Sequence, residues 1–301
     1  MMGLTSYGSI EEAVKGCFGT DVNIEDSRSV GGGDINSARL LMLSDGRSVF
    51  LKYNSASNSA FFDAEEEGLS AIADTGVIKT PELFCKGMDP DKSISFLMME
   101  RIVTGTPGQN TWYEMGRQFA DMHMADTSRY VEGGLFGFLD DNYIGATRQT
   151  NTPFDSWIDF YRECRLKPQF RMAERALDEQ AVKRCVRLMD KLGDILTEPE
   201  KPALLHGDMW GGNHLIDRDG NAVLIDPAAY VGHPEADIAM TELFGRMPHG
   251  FYEGYHEKIP AQAGYDDRRD IYNLYHVMNH YNLFGGGYLS SALSIIRRYA
   301  G

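Results

Sequence analysis

The chain has 301 residues, 43% of them hydrophobic, with 29 basic against 44 acidic side chains and a formal charge of −15. That length gives one large domain or two lobes around a cleft, with a sizeable core. The acidic balance excludes the basic footprint of a nucleic-acid binder, and no stretch approaches the roughly 20 apolar residues that span a bilayer.

Cys17, Cys85, Cys164 and Cys185 form no C-x-x-C pair or other short metal-ligand spacing. Their use points to a reducing, cytoplasmic compartment. Met1 to Glu12 carries no basic segment followed by an apolar one, so no signal peptide is expected.

Ser9 to Phe18 reads as a short amphipathic helix, and from Val22 to Tyr53 the pattern turns to strands around Gly31-Gly32-Gly33. Leu40 to Leu43 and Val49 to Tyr53 are strands joined by a tight turn at Ser44 to Gly46. Ala60 to Ala73 has helical spacing, and Pro81 to Phe84 and Ile94 to Met99 are further strands. Beyond Ile102, helices are expected over Trp112–Met124, Phe154–Ala176, Gln180–Leu196, Glu235–Phe244, Asp266–Asn282 and Leu289–Tyr299. Only Leu204–Leu205 and Ala222–Ile225 look extended there, and Glu132 to Thr152 is a long Gly- and Asn-containing loop. The fold class is therefore α+β: a sheet-rich lobe at 1–101 and a helical lobe at 102–301, hinged near Glu100 to Gly105.

The strongest chemical signal is His206-Gly-Asp-Met-Trp-Gly-Gly-Asn213 with Asp226 thirteen residues further on. Asp208 in this Gly-rich loop is placed to receive the proton of an attacking hydroxyl. Alone it would read as a turn residue bonding its own backbone; the offsets of Asn213 and Asp226 decide for catalysis. Asn213 and Asp226 offer hard oxygen ligands for Mg²⁺. His206 reads as a loop brace, and Asp237 as a helix carboxylate that accepts loop N–H bonds.

Lys52, inside a strand, can reach the phosphates of ATP and pair with a helix carboxylate. Glu65 is the candidate partner, with Glu66 and Glu67 open alternatives. Gly31, Gly32 and Gly33 can bring backbone N–H groups to phosphates, although they match neither G-x-G-x-x-G nor a Walker A loop. Met98 and Glu100, with Met99, stand at the lobe junction where backbone could meet an adenine edge. Trp210 offers an indole face to a sugar ring, and Glu235 a negative charge to a cationic substrate.

These motifs resemble the fructosamine kinase (ketosamine-3-kinase) family, of the protein-kinase-like fold shared with aminoglycoside phosphotransferases and choline kinases. The likeness extends from Leu205–Asn213 and Ile225–Phe244 through Tyr272–His276 and Asn279–Tyr288, and to Phe136–Phe138, Asp141–Gly145 and Gln149–Asn151. It implies ATP-dependent, Mg²⁺-assisted phosphorylation of a ketosamine hydroxyl, typically O3, with a glycated amine or glycated protein as partner. The phosphorylated adduct would then decompose and free the amine. Asp34 stands where many relatives have Cys, so thiol control through that loop is not expected; Met209 and Gly211 replace Leu and Ser.

Gly207 replaces the Arg of His-Arg-Asp and Pro-Ala follows Asp226, which argues against a protein kinase. The alternatives are an aminoglycoside- or other metabolite-directed phosphotransferase and a non-catalytic nucleotide-binding module. Intact Lys52, Asp208, Asn213 and Asp226 count against the latter.

Overall fold

A computed structural model describes residues 3–31 and 35–301. Its first part runs β1 (Ser6–Tyr7), α1 (Ile10–Phe18), β2 (Ile24–Val30), β3 (Ser37–Leu43), β4 (Ser48–Ser55), α2 (Ser59–Ala73), β5 (Leu83–Asp89) and β6 (Ile94–Glu100). The strands form one sheet in the order β1-β5-β6-β4-β3-β2, antiparallel except for the β1–β5 pair. Helix α1 starts where the sequence marks it. Ser9 accepts the Glu12 N–H, one of the donors that the first turn leaves unpaired, and Glu12 accepts the N–H of Gly8 just ahead of the cap.

Alternation along the strands sorts side chains between two layers. Phe96 and Met98 of β6, with Val49 and Leu51 of β4, pack under α1, whereas Leu97 and Met99 pack with Phe62 and Leu69 of α2. Phe50 and Lys52 of β4 therefore share the α2 side, and both line the cleft below it. From Phe96 to Met99, strand β6 is apolar on both faces, so these four residues read as a continuous hydrophobic run.

The second part contains α3 (Thr111–Met124), β7 (Asn142–Ile144), β8 (Thr147–Gln149), α4 (Trp157–Phe160), α5 (Lys167–Ala173), α6 (Glu179–Asp190) and α7 (Leu192–Ile195). It continues with β9 (Ala203–Leu205), β10 (His214–Ile216), β11 (Ala222–Leu224), β12 (Tyr230–Gly232), α8 (Pro234–Leu243), α9 (His249–Lys258), α10 (Tyr265–Phe284) and α11 (Tyr288–Ala300). Its strands pair as three two-stranded ribbons, β7–β8, β9–β12 and β10–β11.

The helix expected over Phe154–Ala176 is interrupted by a π-helical stretch, Tyr161–Leu166. Pro168 lacks the N–H that would bond the Cys164 carbonyl in a regular helix. The Arg165 guanidinium donates to that carbonyl instead, at 3.1 Å. The expected helix Gln180–Leu196 divides into α6 and α7, and the loop at Glu132–Thr152 contains the β7–β8 hairpin.

Helix α9 was not expected, because Gly250 and Gly254 depress its helix propensity. The glycine at 254 has a packing reason. A Cβ there would run into the Tyr113 carbonyl, and one on Gly116 of α3 into the Phe251 carbonyl. The two helices thus cross backbone against backbone. Gly116→Ala should lower the unfolding free energy by about 1–3 kcal/mol through overpacking. Urea denaturation would check this, and an unchanged midpoint would show that the crossing can relax.

Candidate active site

A cavity of about 730 Å³ lies between the sheet and the helical part. Lys52 and Glu65 line its upper wall, Asp208, Trp210, Asn213 and Asp226 its floor, and Gly31, Met99 and Glu100 its edge.

The floor is built by two ribbons. Strand β9 is fully buried and delivers His206 into a tight turn. Gly207 has φ +80°, and a Cβ there would collide with the Ala228 carbonyl, so the turn requires glycine. Asp237, on the first turn of α8 and only 1% exposed, accepts the His206 N–H at 2.6 Å and the Gly207 N–H at 2.8 Å. His206 is buried and ties both chemical stretches together. Its Nδ1 faces the Asp208 N–H at 3.3 Å and its Nε2 the Ile225 carbonyl at 3.0 Å. Burial pushes its pKa down, so a neutral ring donating from Nε2 and accepting at Nδ1 satisfies both contacts.

Asp208 is pushed up to about 7, chiefly by burial. The Asn213 amide opposes that shift by donating to the Asp208 carboxylate at 3.0 Å. The same amide donates to the Asp208 main-chain carbonyl at 2.8 Å. Asn213 precedes β10 and Asp226 follows β11, so one antiparallel hairpin sets their separation. An Ile225 N–H to Asn213 carbonyl bond of 3.1 Å closes it. Asp226 has φ +54°, a left-handed conformation that Asp tolerates at a cost of about 1 kcal/mol.

Across the cleft, Lys52 bonds both Glu65 and Asp226. Glu65 is thus the helix carboxylate that meets Lys52. Glu66 instead pairs with Lys86 at 2.8 Å and accepts the Leu4 N–H at 2.7 Å. Glu67, pushed up to about 7 by burial and by the Asp140 and Glu66 charges, makes no ion pair among the described residues.

The donor set suits a hard cation. Asp226 supplies a carboxylate on the cavity floor, and the Asn213 amide nitrogen is engaged with Asp208, which leaves its oxygen for a ligand. Among the described residues no group of three or more His, Cys, Asp and Glu side chains could hold a metal. A bound Mg²⁺ would complete its shell from phosphates and water.

Two expectations need correction. Met98 is fully buried in the core under α1, and its backbone lies mid-ladder between β4 and β5. The cleft edge is formed instead by Met99, Glu100, Arg101 and Ile102. The Glu100 N–H is itself bonded to the Glu82 carbonyl at 2.7 Å, so the main chain free of the sheet begins at Arg101. Glu235 is not among the cavity-lining residues: Arg268 takes both its oxygens, at 2.6 and 2.7 Å. Neutralised this way, it supplies no field to a cationic substrate. Gly31 lines the cavity, while Gly32 and Gly33 lie outside the described residues.

Sequence reasoning missed one wall of the cavity. Tyr143, Ile144 and Gly145 come from the β7–β8 hairpin, and His280, Leu283, Phe284 and Tyr288 from the end of α10 and start of α11. Trp210 stands beside them, edge-to-face with Phe244 at 6.2 Å. The hairpin also reaches the sheet lobe, where Tyr143 packs on Phe61 with centroids 4.4 Å apart. Residues scattered over a hairpin and two helix ends show no spacing that marks a site, so only the resemblance pointed to these segments.

Asp237→Asn would set an amide against one of the two loop N–H donors. It should lower the unfolding free energy by about 1–3 kcal/mol, read by urea denaturation. An unchanged midpoint would mean that the loop finds other acceptors.

Residues 6–300 match the family model described as fructosamine kinase. A chloroplastic protein-ribulosamine 3-kinase of Arabidopsis thaliana is 41% identical over 273 residues, covering 90% of this chain and 81% of that protein. A solved structure from Thermobifida fusca is 30% identical, with TM-score 0.81 over 97% of this chain and 98% of its own. An aminoglycoside phosphotransferase solved as a ternary complex with AMP-PNP and hygromycin B, 16% identical, shares the fold with TM-score 0.66 over 97% of this chain and 99% of its own. On this evidence the chain is a member of the fructosamine kinase family, built on the protein-kinase-like fold.

Proposed function

We propose that the protein transfers the γ-phosphoryl group of ATP to a ketosamine hydroxyl, O3 of a fructosamine or ribulosamine borne by an amine or a protein. The observation that carries this reading is the convergence of Lys52, Asp208, Asn213 and Asp226 on one cavity, in a chain of the fructosamine kinase family.

Lys52, held by Glu65, presents its ammonium to the nucleotide phosphates. When bound, Mg²⁺ neutralises charge on the β- and γ-phosphates, and Asn213 and Asp226 are the residues that would hold it. Asp208 takes the proton of the attacking hydroxyl. A carboxyl raised to about 7 is a stronger base than an ordinary one. The new bond joins the sugar oxygen to the γ-phosphorus. The bond to the β–γ bridging oxygen breaks, and its electron pair leaves on ADP. Trp210, 37% exposed at the cavity floor, offers its face to the sugar ring.

Phosphorylation at C3 turns a poor leaving group into a good one. Loss of a C1 proton gives an enaminol, whose nitrogen lone pair expels phosphate. Hydrolysis of the resulting iminium frees the amine. The physiological outcome is deglycation. The four cysteines are unpaired thiols, consistent with a reducing compartment, and we assign the enzyme to the cytosol. Among the described residues no helix is long and apolar enough to cross a membrane.

An ATP-consumption screen over fructosyl-lysine, ribulosyl-lysine, free ketoses, aminoglycosides and choline tests the substrate class. Turnover should be confined to the ketosamines; turnover only with aminoglycosides would contradict the reading. Asp208→Asn should lower kcat by about 10²–10⁴-fold while the unfolding midpoint and nucleotide affinity persist. Near-wild-type turnover would remove Asp208 from the role of base.

A further inference from the structure

Behind the catalytic loop runs a polar chain that touches neither the cavity nor any reacting group. His123, in the last turn of α3, is 3% exposed, and Tyr255 of α9 is 2% exposed. His123 Nε2 lies 3.2 Å from Asp237 Oδ2, and its Nδ1 lies 2.8 Å from the Tyr255 hydroxyl. The same Oδ2 accepts the His206 N–H at 2.6 Å, while Oδ1 accepts the Gly207 N–H. Every polar atom in the chain is thus engaged.

The proton positions follow from the chemistry of the groups. An ionised carboxylate only accepts, so Nε2 must carry hydrogen. In a neutral ring Nδ1 is then an acceptor, and the Tyr255 hydroxyl donates to it. Burial first, and the Asp237 charge second, push the Tyr255 pKa well up, so the phenol keeps its proton. Donation converges on Asp237 from two sides: Tyr255 O–H to His123 and His123 Nε2–H to the carboxylate on one, the His206 and Gly207 N–H groups on the other. It has a rigid base, because α3 and α9 cross in backbone contact at Gly116 and Gly254.

We propose that His123 and Tyr255 are positioning residues for phosphoryl transfer. They fix the rotation of the Asp237 carboxylate and, through it, the turn at His206 and Gly207 that sets where Asp208 meets the acceptor hydroxyl. The proposal rests on the reading of the site as a ketosamine kinase. Without the Nε2 donor, Oδ2 keeps one bond of two and the carboxylate can turn about its own axis. Movement of the loop N–H groups by a fraction of an ångström is then transmitted to Asp208, the residue that follows Gly207, while Lys52 and Asp226 stay in place.

The test compares Tyr255→Phe, His123→Ala and His123→Gln. Tyr255→Phe keeps the ring packing, and Gln restores a donor near the Nε2 position. Tyr255→Phe and His123→Ala should lower kcat with fructosyl-lysine about 10- to 100-fold, leaving KM for ATP within about threefold. His123→Gln should recover most of the loss. Backbone hydrogen exchange, measured without any acceptor, should show the His206 and Gly207 amides opening about tenfold faster in His123→Ala, with protection in β4 and β6 unchanged. Wild-type kcat in folded Tyr255→Phe, a Gln variant no better than Ala, or unaltered exchange at those two amides would overturn the proposal. If the wild-type protein phosphorylates no ketosamine, the kinase reading fails instead, and the exchange measurement still decides whether the chain holds the loop.

Discussion

The Asp237 carboxylate is the constraint on which the site depends. A loop that turns sharply out of a buried strand leaves main-chain donors without partners, and in a dry interior each such donor is costly. Asp237 takes two of them. Because it sits on the first turn of α8, the helix N-terminus also favours its negative charge. The loop is thus fastened at the residues just before Asp208, and Asp208 is left facing the cleft. The same economy explains Gly207: only a residue without Cβ allows the loop to lie against the Ala228 carbonyl.

A second connection makes the two halves one site. Lys52 rises from the sheet, Glu65 from the helix packed on it, and Asp226 from the ribbon below. Alternation on β4 turns Lys52 toward the cleft, while its neighbour Leu51 fills the core. Three charges from separate elements meet without any of them being deeply buried alone. In a nucleotide complex the ammonium would exchange part of this contact for phosphate oxygens, which have the same sign of charge and stronger acceptor character.

The sheet lobe and most helices were legible in the sequence because strand alternation, capping residues and turn glycines act locally. Ser9 and Glu12 are an example. Two features resisted. Helix α9 is held by a glycine-mediated crossing that weakens its own local signal. The π-helical stretch comes from Pro168 and the buried Arg165, a tertiary arrangement rather than a periodicity. At the site, residues whose chemistry is explicit, such as Asp208, Asn213, Asp226 and Lys52, stood out by spacing. Those whose role depends on packing direction did not. Met98 and Met99 look alike in sequence, yet pleating sends one into the core and the other to the cleft. Glu235 reads as an available charge in the sequence, but Arg268, 33 residues away, pairs with it.

The proposed function turns on which oxygen receives the phosphate. Phosphorus-31 NMR of the product made from ATP and fructosyl-lysine, with proton coupling to place the ester, reads this directly. The expected product is a phosphomonoester coupled to H3, which then decays to inorganic phosphate and free lysine. A stable ester on another hydroxyl would contradict it.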